Sequence, residues 1–300
     1  MLLHLSGVHG VEGFLGSAIQ CHLLANPPSL PDHQALIFVH AVNPWGMAWL
    51  RRFNENNVDL NRNFLANGEN YEGAPPGYAK LDPLLNPKHL PGSLDLFLVR
   101  CVFAIAQYGF AKLKETVASG QYEYSQGLFF GGTQLEESAR LLSAWIREHL
   151  TSGEKVVAID IHSGLGKFGE AVLFYSGNRS STEYSMLKES YGDSIQPLSK
   201  EGVAYTIRGM FMEGLATVLP DADWLCIGQE FGTYAPLRVL KALRDENCWH
   251  HYCKDLTIEH PVKKTLLRTF CPESDVWQRA VISRGEQLVH DALDMMKQNS

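Results

Sequence analysis

The chain has 300 residues, 45% of them apolar and 20% charged, a globular composition that excludes disorder, collagen-like repeats and low-complexity fibres. Lys and Arg total 26 against 33 Asp and Glu, a net charge of −7, and basic residues cluster no further than the pairs Arg51–Arg52 and Lys263–Lys264, which excludes a phosphate-tracking nucleic-acid surface. Six cysteines are too sparse for a disulfide scaffold, and a chain of this size buries roughly three quarters of its unfolded surface without such staples.

In chain order, Leu2–Val8 reads as a buried strand and Gly16–Ala25 as the helix after it. The start lacks the basic region of a signal peptide. Ala35–Val42 is a second strand, ending at the turn-forming Asn43-Pro44. From Leu65 to Gly92 the chain is rich in Pro, Gly and Asn and reads as a long loop. Leu94–Phe110 is apolar but broken by Asp95, Arg100, Gln107 and Gly109; it predicts a buried or amphipathic helix, not a membrane span. The expected compartment is therefore the cytoplasm. Thr133–Leu150 predicts a helix with Thr133 and Glu136 as a capping box and Leu135, Ala139, Leu142 and Ile146 on one face. Val156–Ile161, Ala171–Tyr175 and Trp224–Gln229 read as strands, and Pro272 precedes a helix from Ser274 to Met296.

Alternating strands and helices predict one α/β domain over residues 1–300, a mixed, mostly parallel sheet flanked by helices, with an insertion at about 65–132. An apolar strand that starts at residue 2 is expected to be central with almost nothing before it, and so to carry an open edge.

Three clusters carry chemistry. His9-Gly10-Val11-Glu12 follows the first strand, where α/β sheets bind ligands. A His and a carboxylate three residues apart in a tight turn can face one metal ion, and a catalytic zinc site needs a third ligand and an open position. His162, at the end of the strand Val156–Ile161, is the natural third. Asp160, two residues earlier on the same strand face, is placed to orient that imidazole. His4, His22 and His40 have no such partners and read as packing or surface residues. The second cluster is Asn57–Phe64 (NVDLNRNF), where the Asn61-Arg62 pair suits a bidentate grip on a carboxylate, with Arg51 and Arg52 just upstream. The third is Gly228–Gly232 (GQEFG), whose Glu230 follows an apolar strand and is placed to act as a general base beside a metal.

The order of HxxE, an Arg ahead of VDLNRNF, a strand-end His and a late strand-end Glu resembles the zinc carboxypeptidases of the carboxypeptidase A type, in a superfamily that also holds succinylglutamate desuccinylase and aspartoacylase. Ser6–Gln20, Gly120–Gly132 and Asp160–Gly169 are similar to an uncharacterised bacterial branch of it. The resemblance implies one Zn²⁺ per chain held by His9, Glu12 and His162, with Glu230 as base. It implies that Arg52, nine residues after Asn43, polarises the scissile carbonyl, with Arg51 as the runner-up. Asn61 and Arg62 would hold a substrate carboxylate, and Tyr205 is the positional candidate for the tyrosine that covers the substrate. Relative to that family the chain is short at its N-terminus. The implied activity is hydrolysis of an amide next to a free carboxylate, on a small peptide or on an N-acyl amino acid, with neither nucleic acid nor membrane as partner.

Rival readings fare worse. Gly164–Gly169 satisfies GxGxxG, but Glu170 and a strand follow where a nucleotide-binding fingerprint needs a helix. Cys248–Cys253 (CWHHYC) is not a zinc-ligand spacing. No GxSxG occurs. A truncated, non-catalytic binding protein on the same fold stays open, although all the catalytic residue types are present.

Overall fold

The computed structural model describes residues 1–66, 68–92, 94–151, 155–176, 182–197, 207–253 and 257–297. Among these residues six strands, β1 (Leu2–Leu5), β2 (Leu36–Val39), β3 (Lys155–Ser163), β4 (Ala171–Ser176), β5 (Ile195–Pro197) and β6 (Asp223–Phe231), form one sheet in the order β2-β1-β3-β6-β4-β5. All neighbours are parallel except β4 and β6. Helices α1 (Gly13–Ala25), α2 (Pro44–Ala48), α3 (Tyr78–Leu85), α4 (Phe97–Tyr108), α5 (Phe110–Ala118), α6 (Glu137–His149), α7 (Thr182–Tyr191), α8 (Phe211–Ala216), α9 (Pro236–Tyr252), α10 (Pro261–Phe270) and α11 (Asp275–Lys297) surround it. The chain is a single α/β domain with a mostly parallel sheet flanked by helices.

Period-two alternation along β3 builds both faces. Val157, Ile159 and Ile161 join Leu15 and Ile19 of α1 and Trp277 and Leu288 of α11 in one core. Val156 and Ala158 join Leu3, Leu5, Ile146 and Phe211 in the other. On that second face β3 then switches from apolar to polar, so Asp160 and His162 emerge where Val156 and Ala158 were buried. β6 does the same in register: Cys226 pairs with Ala158, Gly228 with Asp160, and Glu230 with His162.

Three expectations are corrected. Leu2–Val8 has no open edge, because β1 pairs with β2 on one side and β3 on the other; the edge falls on the half-buried β2. The 65–92 segment is not all loop, since Tyr78, Leu81 and Leu85 bury one face of α3 and the Tyr78 hydroxyl donates to Leu128 O at 2.8 Å. The capping box is absent: α6 starts at Glu137, and the Glu136 carboxylate instead accepts from Asn54 Nδ2 and Asn56 Nδ2, both at 2.8 Å. Two tertiary amides outcompete the local cap. The buried or amphipathic helix expected within Leu94–Phe110 is present as α4, which buries Phe97 and Cys101 on one face and leaves Val102 and Phe103 60% and 70% exposed.

Candidate metal centre

His9, Gly10 and Glu12 lie in the turn between β1 and α1. Gly10–Glu12 is a single 3₁₀ turn in which the Glu12 amide donates to His9 O at 3.0 Å, and residues three apart in such a turn eclipse. His9 and Glu12 therefore point the same way. The turn is clamped on the Arg51–Arg52 backbone, with Gly10 N donating to Arg52 O at 3.1 Å and Val11 N to Arg51 O at 2.7 Å. Gly10 is required there: a Cβ would stand 2.1 Å from Gly46 C in α2.

Three donor atoms converge. His9 Nδ1 lies 3.0 Å from Glu12 Oε1, and His162 Nδ1 lies 3.2 Å from Glu12 Oε2 and 3.1 Å from His9 Nδ1. The three residues are buried and form the one group among the described residues whose ligand atoms could hold a metal ion. Both rings are held from behind: His9 Nε2 meets Asp59 Oδ1 at 3.0 Å and His162 Nε2 meets Asp160 Oδ2 at 2.7 Å. With Nε2–H donated to a carboxylate, each ring keeps the Nδ1 lone pair turned inward. This donor set, two imidazole nitrogens and a carboxylate, fits zinc.

Asp59 is the hub that sequence reasoning missed. Its Oδ1 accepts from His9 and from the Asn61 amide at 3.0 Å, and its Oδ2 accepts from Arg52 Nε at 3.1 Å. The available signal was its place inside NVDLNRNF, two residues before Asn61. Burial works against its charge, but Arg52 and His9 hold its carboxyl well below the usual range. Burial likewise opposes ionisation of Glu12, and His9, His162 and Arg52 together hold it below that range. Burial disfavours a charged His162, yet Asp160 and Glu12 draw its pKa well above the ordinary histidine value.

The structure separates the two arginines. Arg52 donates from Nη1 to Glu12 Oε1 at 2.8 Å and lies over the Phe129 ring. Its carbonyl takes Asn43 Nδ2 at 3.3 Å, which explains their nine-residue spacing. Arg51 turns away into the protein, meeting Glu246 at 3.0 Å, Asn57 at 2.9 Å and Asn247 at 3.0 Å.

Glu230 is neighbour to His162 across β3 and β6. Its Oε1 accepts from Leu165 N at 2.9 Å, an amide delivered by the tight Gly164–Gly166 turn, whose two glycines have φ of 127° and 111°. Burial and the adjacent Glu12 raise its pKa to about 7. Asn61 Oδ1 accepts from Phe211 N at 2.9 Å, and Arg62 gives Nε to Ala118 O at 2.9 Å and Nη1 to Asn61 O at 2.6 Å. His9, Glu12, Arg52, Asn61, Arg62, His162 and Glu230 all line one cavity of about 420 Å³. Tyr205 lies outside the described residues.

Elsewhere, Gly164–Gly169 runs from β3 into β4 with no helix between them. Cys248, His250 and His251 lie on α9, and no metal-holding group forms there among the described residues. No helix of the described residues is long and apolar enough to cross a membrane.

Residues 1–284 match the family described as "Protein of unknown function (DUF2817)", and the chain belongs to that family. No curated protein matches it. Among solved structures it is similar to murein-tripeptide amidase MpaA from Escherichia coli O157, with 20% identity over 85% of this chain and 82% of that one and a TM-score of 0.44. It is also similar to a "putative metallopeptidase" from Shewanella amazonensis SB2B, with 16% identity over 86% of this chain and 77% of that one and a TM-score of 0.41.

Proposed function

We propose that this member of the DUF2817 family is a zinc-dependent, carboxypeptidase-like hydrolase that cleaves an amide bond next to a free carboxylate. The observation that carries the reading is the convergence of His9 Nδ1, His162 Nδ1 and Glu12, with Asp59 and Asp160 fixing both rings. His9, Glu12 and His162 would hold one zinc ion per chain. Bound there, zinc supplies Lewis acidity, lowering the pKa of a water toward roughly 7 and polarising a carbonyl.

Glu230 is the proton carrier in this scheme. Its Oε1 is engaged by Leu165 N, so Oε2 takes the proton from the attacking water and passes it to the departing amine. Burial and the neighbouring Glu12 push this carboxyl upward, toward the ready exchange of a proton that both halves of the task need. Arg52, held by Asp59 and Glu12 through Nε and Nη1 and lining the cavity, would supply the positive charge that stabilises a tetrahedral oxyanion. Asn61 and Arg62, on the same cavity wall, would bind the substrate carboxylate.

Both a peptide tail and an N-acyl amino acid present that carboxylate. The reading predicts a protein that works in the cytoplasm on such small molecules, with neither nucleic acid nor membrane as partner. Metal analysis of the purified protein, followed by a screen of dipeptides against N-acyl amino acids, tests it. About one zinc per chain with turnover of either class supports the hydrolase; bound zinc with no turnover favours a binding protein on this fold.

A further inference from the structure

The cavity has two chemically different ends. Beyond the metal cluster, Arg52 and Arg62, its walls are formed by Leu85 of α3, Ile105 of α4, Phe110 and Leu113 of α5, and Leu240 and Leu243 of α9. Lys114 is the single charged side chain added along that stretch. The α4–α5 hairpin is pinned at its two ends. At the first, Arg244 lies 4.7 Å from the Phe97 ring centroid and pairs with Asp95 at 2.9 Å. At the second, Ala118 O accepts from Arg62 Nε at 2.9 Å. Between the pins Ile105 and Leu113 are half-buried and border the cavity. The hairpin thus roofs an apolar wing that opens directly on the candidate catalytic groups.

We propose that the substrate carries an extended apolar chain beside its carboxylate and scissile amide, and that this chain fills the wing. The inference rests on the hydrolase reading and narrows its substrate class. A cavity of about 420 Å³ is within the roughly 300–1,000 Å³ of small-molecule sites. A short polar amide such as an N-acetyl amino acid would leave the wing's apolar walls in water. A medium or long acyl chain, or a comparably large apolar side chain on the amino acid, would bury them.

Two substrate series separate the two sources of such a chain. One varies the acyl group of an N-acylglycine through acetyl, butyryl, octanoyl and dodecanoyl. The other varies the amino acid of an N-acetyl substrate through glycine, leucine, phenylalanine and 2-aminodecanoate. On the zinc-loaded protein kcat/KM should rise along one series by about fourfold per methylene until the wing is full. Leu113→Trp, which shortens the wing, should move the optimum to a shorter chain, whereas Val102→Ser on the exposed outer face should change nothing. Equal turnover along both series overturns the apolar class and leaves the hydrolase standing. If nothing is hydrolysed the hydrolase reading fails instead, and calorimetric titration of the metal-free protein with N-dodecanoylglycine and with N-acetyl-2-aminodecanoate decides the wing. Binding of either with a negative heat-capacity change, weakened at least tenfold by Ile105→Asp, supports it. No binding, or binding that Ile105→Asp and Leu113→Trp both leave unchanged, overturns it.

Discussion

The Nδ1 atoms of His9 and His162 face each other across 3.1 Å while the opposite nitrogen of each ring is tied to its own buried aspartate. Two lone pairs and the Glu12 carboxylate at that distance repel unless a cation or a proton sits among them. The arrangement is a receptor for positive charge.

Metal content is therefore expected to vanish in His9→Ala and in His162→Ala, measured by elemental analysis of purified protein. Asp59→Asn and Asp160→Asn should keep the fold and weaken metal affinity by roughly 10- to 100-fold, the usual effect of losing a carboxylate behind a ligand imidazole. Competition against a chelator measures that loss. Wild-type metal content in both histidine variants would dismiss the centre.

Glu230→Gln should bind metal normally and lower kcat by at least about 100-fold. The amide oxygen can still accept from Leu165 N, so the Gly164–Gly166 turn is kept and a folding defect is not the expected cause. Near-normal turnover in a metal-replete variant would remove Glu230 from the mechanism.

Much of this centre was legible because its residues end strands. His162 and Glu230 close apolar runs whose alternation, continued two residues further, puts them on one face of neighbouring strands. What the sequence could not show is contact at long separation. Asp59 reaches His9 across fifty residues and Arg51 reaches Glu246 across 195, and the Asn43 spacing that singled out Arg52 carried no sign of where Arg51 would go. The open edge expected of Leu2–Val8 failed for a related reason: β1 gains its second partner from β3, a strand more than 150 residues later.

His4 predicts a specific acid sensitivity. It is fully buried, Gln20 Nε2 donates to its Nδ1 at 3.2 Å, and its Nε2 meets no partner among the described residues. Burial lowers its pKa from 6.5 to about 4. Between pH 6.5 and 4 the unfolded chain binds a proton that the folded chain refuses, so this contribution is fully present above pH 6.5 and is lost as pH falls toward 4, by about 3 kcal/mol in total. His4→Leu should reduce the drop in urea-derived stability between pH 7.5 and pH 5 by roughly 2 kcal/mol. An identical drop in the variant would mean that His4 titrates normally in the fold.

Arg62 decides whether the site reads a carboxylate. A guanidinium paired with a substrate carboxylate in a partly dry pocket contributes roughly 1.5–3 kcal/mol, so Arg62→Ala should cut kcat/KM for a free-acid substrate by about ten- to a few-hundred-fold. The matching C-terminal amide should lose little, and the wild type should prefer acid to amide. Arg62 also braces the backbone through Ala118 O and Asn61 O, so the variant should lose roughly 1–2 kcal/mol of stability as those carbonyls lose their donor. That loss touches both substrates alike and cannot produce a difference between them. The ratio of acid to amide turnover is the informative quantity, because it cancels any shared change in folded fraction or loop position. A ratio that falls by an order of magnitude in Arg62→Ala assigns the clamp to this side chain. An unchanged ratio with reduced stability would restrict Arg62 to bracing the loop and would leave the carboxylate without its proposed partner.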